Sequence, residues 1–220
     1  MPLQRRRAVL FDLDGTLVDS IASVDRCWAR LVDAIGLPID PGFRHGVPSV
    51  ENVRPLLPDA SREVIDHWVD VHLELEVEDA GSIAAYPGAH DLLTWLDDVD
   101  VPWAIATSGA RPLAEARFAA ASLPRPRAFA TREDYVRPKP YADPFVHAAA
   151  LLGLPAGATI VVEDAPAGVA AGRAAGAYVI AVTTTHDRPA LAEADLVVDS
   201  LTELLETLRA RNLLEGGPAE

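Results

Sequence analysis

Cysteine occurs once in the 220 residues, at Cys27, so no internal disulfide can form. A lone cysteine among apolar neighbours on a helical pattern reads as core filler, in a chain suited to the reducing cytoplasm. Long apolar runs are also missing. Arg5-Arg6-Arg7 precedes an apolar run of only Ala8 to Phe11. That is too short for a secretory signal, and nothing elsewhere approaches the roughly 20 apolar residues of a membrane helix. The chain is therefore expected neither to cross nor to span a membrane. Positive charge is scarce: 19 basic residues stand against 33 acidic ones, a net charge of -14. That balance argues against nucleic acid or an anionic membrane as partner, since both need a positive footprint. No obligate protein partner is evident either. Lysine is nearly absent, with 18 arginines and the single Lys139. No internal repeat breaks the pattern, and with 50% apolar and 24% charged residues the chain reads as globular, with one substantial core and a smaller satellite.

Among what is present, Asp12-Leu13-Asp14-Gly15-Thr16 carries the most chemistry. It follows Ala8-Val9-Leu10-Phe11, a short apolar run that reads as a buried strand feeding a loop. Side chains two apart on a strand point the same way, so Asp12 and Asp14 are expected to face one pocket. The pattern then turns helical. Ile21, Val24, Trp28, Leu31, Val32 and Ile35 recur at helical spacing up to Gly36, and Val64, Ile65, Trp68, Val71 and Leu75 form a second stripe after Ser61. Pro38 to Pro58 is rich in proline and glycine and reads as loop with at most short helices. Residues 17–85 are thus expected to form a small helical domain, with Trp28 and Trp68 as core anchors.

From Tyr86-Pro87-Gly88 onward, helices alternate with apolar strands at 103–106, 159–162, 178–182 and 195–198. Asp143-Pro144 reads as an N-cap followed by an N1 proline, and Pro166 and Gly176 bracket another helix. The alternation predicts an α/β fold, a parallel sheet with helices on both faces, to which the first strand also belongs. The expected core is 1–16 with 86–212, and 213–220 is expected to be a flexible tail. Three strand tips then share one sheet edge: Asp12 and Asp14, Thr107-Ser108-Gly109, and Glu163-Asp164. Like charges about 4 Å apart repel by about 4 kcal/mol at an effective dielectric near 20, so such a cluster calls for an oxygen-seeking divalent cation. The single Lys139, in Arg137-Pro138-Lys139-Pro140, offers the compact charge that a shared phosphate and carboxylate cluster can use. His67, His72, His90, His147 and His186 lack metal-ligand spacing and read as structural or surface residues.

Together these segments resemble the haloacid dehalogenase superfamily of phosphotransferases. The likeness runs in order through Phe11-Asp12-Leu13-Asp14-Gly15-Thr16, Ala106-Thr107-Ser108-Gly109, Lys139-Pro140, and Val162-Glu163-Asp164 with Ala165-Pro166-Ala167-Gly168. The 103–109 and 163–169 stretches and His45-Gly46 are similar to its sugar-phosphate phosphatase branch, and residues 17–85 to that branch's helical cap. The resemblance implies a Rossmann-like core and a Mg2+-dependent phosphatase for small phosphate monoesters, sugar or polyol phosphates foremost. A phosphomutase of the β-phosphoglucomutase type is the alternative it leaves open. Carried over by position, Asp12 is the nucleophile that becomes an aspartyl phosphate and Asp14 the general acid and base. Thr107, the Ser108 amide and Lys139 gather the transferring oxygens. Asp12, the Asp14 carbonyl and Asp164 hold Mg2+, with Glu163 binding directly or through water. Arg44, His45 and Arg54 are the cap candidates for the leaving group, although Val47 stands where that branch often has a basic residue. The cap is expected to hinge at Gly15 to Asp19 and Ile83 to Gly88.

Overall fold

The computed structural model describes residues 6–37, 42, 49–211 and 213–214. Strand β1 (Ala8–Phe11) is flanked by two parallel neighbours, β4 (Trp103–Ala106) and β6 (Thr159–Glu163). With β5 (Ala128–Ala130), β7 (Tyr178–Val182) and β8 (Leu196–Val198) they form one parallel sheet in the order β5-β4-β1-β6-β7-β8. The sheet is buried on both faces, which is why its central strands are near-continuous apolar runs. Alternation divides the core. Val9, Phe11, Trp103 and Ile105 pack with α4 (Ala89–Asp98), α5 (Arg111–Ala120) and α8 (Leu201–Arg211). Leu10, Ala104 and Val161 pack on the other face with α6 (Asp143–Leu151) and α7 (Pro166–Ala174). The chain builds outward from β1 to β5 and then crosses back to β6. The carboxyl ends of β1 and β6 therefore flank the point where strand order reverses, where open α/β sheets bind ligands.

The helical segment departs from the end of β1. Helices α1 (Ile21–Ile35), α2 (Ser49–Val53) and α3 (Arg62–Asp79) bury a cluster of their own around Trp28, Leu31, Val53 and Ile65, with Trp68 packed against it. Ser61 caps α3 by accepting from the Val64 amide. Where the chain enters and leaves this insertion, β2 (Val18–Asp19) and β3 (Ala84–Ala85) pair antiparallel, within the two stretches the sequence marks as hinges.

Three local expectations are corrected. Leu213 and Leu214 are not a frayed tail: both are buried in the main core, and the Arg6 amide donates to the Leu213 carbonyl at 2.7 Å. Residues 215–220 lie outside the described residues. Asp143 is not the cap of α6. Ala142 takes that position, because the Asp143 carboxylate is engaged by the Arg137 guanidinium at 2.7 Å and by its amide at 3.1 Å. Strand β5 was not foreseen, since three residues of Ala-Phe-Ala at a sheet edge carry no periodic signal.

Candidate active site

Asp12 leaves β1 still bonded as a strand residue, its amide donating to Val162 at 3.0 Å. That hydrogen bond delivers its side chain beside Glu163 and Asp164 at the tip of β6. One oxygen from each of the three carboxylates lies within 4.8 Å of the others, and all three residues are buried. The Lys139 ammonium sits among them, donating to Asp12 Oδ1 and, at 2.5 Å, to Glu163 Oε1. Glu163 Oε2 accepts from the amides of Asp164 and Ala165 at 3.1 and 3.3 Å. Asp164 is held by Thr16 at 2.9 Å and by Thr185 on its other oxygen.

Two glycines make this crowding possible. Gly15 lies at φ +83°, where a Cβ would stand 2.4 Å from Asp164 Oδ2. A Cβ on Gly168, in the first turn of α7, would fall 1.8 Å from the Glu163 carboxylate.

Burial pushes the Asp12 carboxyl up to about 7, with Lys139 opposing and Glu163 and Asp14 adding to the rise. Burial likewise pushes Asp164 up to about 7, reinforced by Asp12, and raises Glu163. Burial alone would lower Lys139, but the carboxylates of Asp12 and Glu163 outweigh it and hold the ammonium above the ordinary lysine value. Three carboxylates around one ammonium leave a deficit of about two positive charges in a low-dielectric site. The donor set is entirely hard oxygen, which suits Mg2+ completed by waters and a substrate phosphate, so the residues fit such an ion.

Above the carboxylates lies a cavity of about 330 Å³. Asp12, Asp14, Thr107, Ser108, Lys139, Glu163 and Asp164 line it from the sheet, so seven residues singled out in the sequence converge. Thr107 and Ser108 lie in the loop that opens α5, and the Thr107 hydroxyl accepts from the Gly109 amide at 3.0 Å. Val24, Val50, Val69, Leu73 and Glu76 close the cavity from the helical insertion. Arg44 and His45 lie outside the described residues. Arg54 is described, opening a 3-10 turn after α2, and is not among the cavity's lining residues.

Sequence reasoning missed several residues of the site. Tyr135 donates to the Thr107 carbonyl at 2.8 Å, fixing the loop after β4. His186, read as structural or surface, lines the cavity with Nδ1 donating to the Asp164 carbonyl at 3.0 Å. Arg117 is 3% exposed and donates to Asp14 at 2.7 Å and to Glu76 at 2.8 Å. Its signal was a charged residue in register with Leu113, Ala114 and Phe118 on the buried stripe of α5.

The haloacid dehalogenase-like hydrolase family matches residues 6–176. The chain belongs to that family. Hexitol phosphatase A of Escherichia coli (strain K12) is 42% identical over 205 residues, 92% of this chain and 95% of that protein. Validoxylamine A 7'-phosphate phosphatase of Streptomyces hygroscopicus subsp. limoneus is 34% identical over 90% of this chain and 95% of its own. Among solved structures, a hydrolase from Pseudomonas syringae superposes with a TM-score of 0.82 at 28% identity, covering 93% of this chain and 98% of that one. The chain is accordingly a hydrolase whose relatives place it among the phosphoric monoester hydrolases. Among the described residues, no helix is long and apolar enough to cross a membrane.

Proposed function

We propose that this phosphoric monoester hydrolase cleaves small sugar or polyol phosphates through an aspartyl-phosphate intermediate, with Mg2+, in the cytoplasm. The observation that carries the reading is the convergence of Asp12, Asp164 and Lys139 at the strand-order reversal, beneath a cavity of about 330 Å³. The substrate class draws on the 42% identity to a hexitol phosphatase across nearly the whole chain.

In this reading the free oxygen of Asp12 attacks phosphorus, the bond from phosphorus to the substrate oxygen breaks, and Asp14 donates a proton to the departing alkoxide. Water then attacks the aspartyl phosphate and gives a proton to Asp14, so phosphate leaves and the Asp12 carboxylate is restored. Lys139, the Thr107 hydroxyl and the Ser108 amide stabilise the equatorial phosphoryl oxygens. Asp12, Asp164 and the Asp14 carbonyl would hold Mg2+, whose charge offsets that of the transferring phosphoryl group. Both Glu163 oxygens already accept hydrogen bonds, so its main part is to fix Lys139. Residues 1–16 and 86–214 act as the catalytic core, with Leu213 and Leu214 buried in it, and 17–85 as a cap, with Arg44 and His45 its candidates for the leaving group.

The test is release of inorganic phosphate from a hexitol phosphate. Turnover is expected with Mg2+, and none after chelation. An isomerised ester without phosphate release would replace hydrolysis by return of the phosphoryl group to the sugar, and turnover insensitive to chelation would remove the metal.

A further inference from the structure

Arg117 belongs to the core, yet its guanidinium is shared between two carboxylates from different parts of the chain. Nη1 donates to Asp14 Oδ1 at 2.7 Å, in the loop after β1, and Nη2 to Glu76 Oε1 at 2.8 Å, on α3 of the insertion. Its Nε makes no hydrogen bond among the described residues, so the two terminal nitrogens do all the holding. Glu76 is 5% exposed, and its other oxygen faces the His72 imidazole at 3.6 Å. Burial, and then Arg117, hold that ring down to about 4, so it stays neutral near pH 7 and supplies no countercharge. Among the described residues Arg117 is therefore the one cation paired with Glu76. The second Asp14 oxygen, Oδ2, is turned toward Gly109 on the cavity side.

We propose that Arg117 is a positioning residue that orients Asp14 for proton transfer, and that Glu76 holds Arg117 in that orientation only while the helical insertion is docked on the core. This rests on the reading of Asp14 as general acid and base. A planar fork is needed, because its two nitrogens reach two separated acceptors at once, whereas an ammonium is a single point charge. If the insertion lifts away, Glu76 leaves with α3, and the guanidinium loses one of its two anchors. Proton transfer is thereby confined to the closed cavity, where bulk water is excluded.

The test compares two esters by kcat/KM, which covers steps only through departure of the alcohol. Sorbitol 6-phosphate needs its leaving alkoxide protonated, whereas p-nitrophenyl phosphate does not. Glu76→Gln and Arg117→Lys are expected to lower kcat/KM for sorbitol 6-phosphate by about 10²-fold, as loss of a positioned acid does, with a several-fold change at most for the aryl ester. Glu76→Gln keeps the side chain's shape and guards against a misfolded arginine variant. Asp14→Asn is the reference and should show the same split between esters. Equal losses on both esters in Glu76→Gln, with the split retained in Asp14→Asn, would overturn the positioning role alone. Absence of the split in Asp14→Asn would overturn the role of Asp14 and this proposal with it.

Discussion

Replacing Gly168 by alanine adds one methyl to a residue that carries no reacting group, yet it should cripple the site. The new Cβ would lie 1.8 Å from the Glu163 Cδ and Oε1 and 2.2 Å from Oε2, far inside contact distance. Either the first turn of α7 backs away from the sheet, or the carboxylate moves and surrenders its 2.5 Å bond to Lys139 and its two amide donors. Overpacking costs about 1–3 kcal/mol. A lost hydrogen bond to a charged group costs a further 1.5–3 kcal/mol or so. A combined loss of about 2.5–6 kcal/mol lowers the thermal midpoint by roughly 5–24 °C for a chain of this size. Because Lys139 loses its orienting partner, kcat should fall by about 10–100-fold, as when the support of an active-site group is removed. Scanning calorimetry and a phosphate-release assay read both effects. Gly81→Ala is the control: nothing lies within 4 Å of its Cβ position, and its stability should change by no more than about 0.5 kcal/mol. A Gly168→Ala protein matching that control in midpoint and kcat would refute the claim that Glu163 is wedged against α7 to aim Lys139.

Asp12→Asn should abolish turnover while leaving circular dichroism unchanged; retained activity would reject the nucleophile. Thr16→Val and Thr185→Val each remove a hydroxyl from Asp164 and should weaken activation by Mg2+ by about 10–100-fold in a metal titration, with saturating kcat less affected. Without a divalent ion, Asp12 and Asp164 titrate near about 7 in the folded chain against an ordinary 3.8. Between those values the folded chain binds protons that the unfolded chain has released, so stability falls as pH rises through that window. The metal-free midpoint at pH 5 should exceed that at pH 8, Mg2+ should recover most of the loss at pH 8, and Asp164→Asn should shrink the difference; a metal-free midpoint rising with pH would contradict it.

How much of this was legible in the sequence depended on whether a residue's neighbours lie along the chain or across it. Asp12, Thr107 and Glu163-Asp164 could be placed because each directly follows a short apolar strand, and parallel strands bring their carboxyl ends to one edge whatever the details of the helices between. Stripes at helical spacing likewise gave α1, whose Val24, Trp28, Leu31 and Val32 are all buried. On α3 the expected stripe holds for Ile65, Trp68, Val71 and Leu75 and fails at one position. Val64 was assigned to the apolar stripe and is 42% exposed, while the buried positions include His72 and Glu76. The reason is electrostatic: Glu76 goes inside because Arg117, forty-one positions on, comes to meet it. Nothing in either local pattern encodes the other.

The same limit governs the acidic residues as a whole. A chain with 33 aspartates and glutamates gives no compositional means of separating the few that are buried from those that face water. Burying a carboxylate costs several kcal/mol unless a cation meets it. With a single lysine in the chain and Arg117 drawn between Asp14 and Glu76, the site supplies two positive charges to the five carboxylates of Asp12, Asp14, Glu76, Glu163 and Asp164. Lys139 serves the reacting end and Arg117 the end joined to the insertion, so neither can replace the other. The remaining negative charge is concentrated where Asp12 and Asp164 face each other, and that is where a divalent ion would have to sit for a phosphate ester to approach.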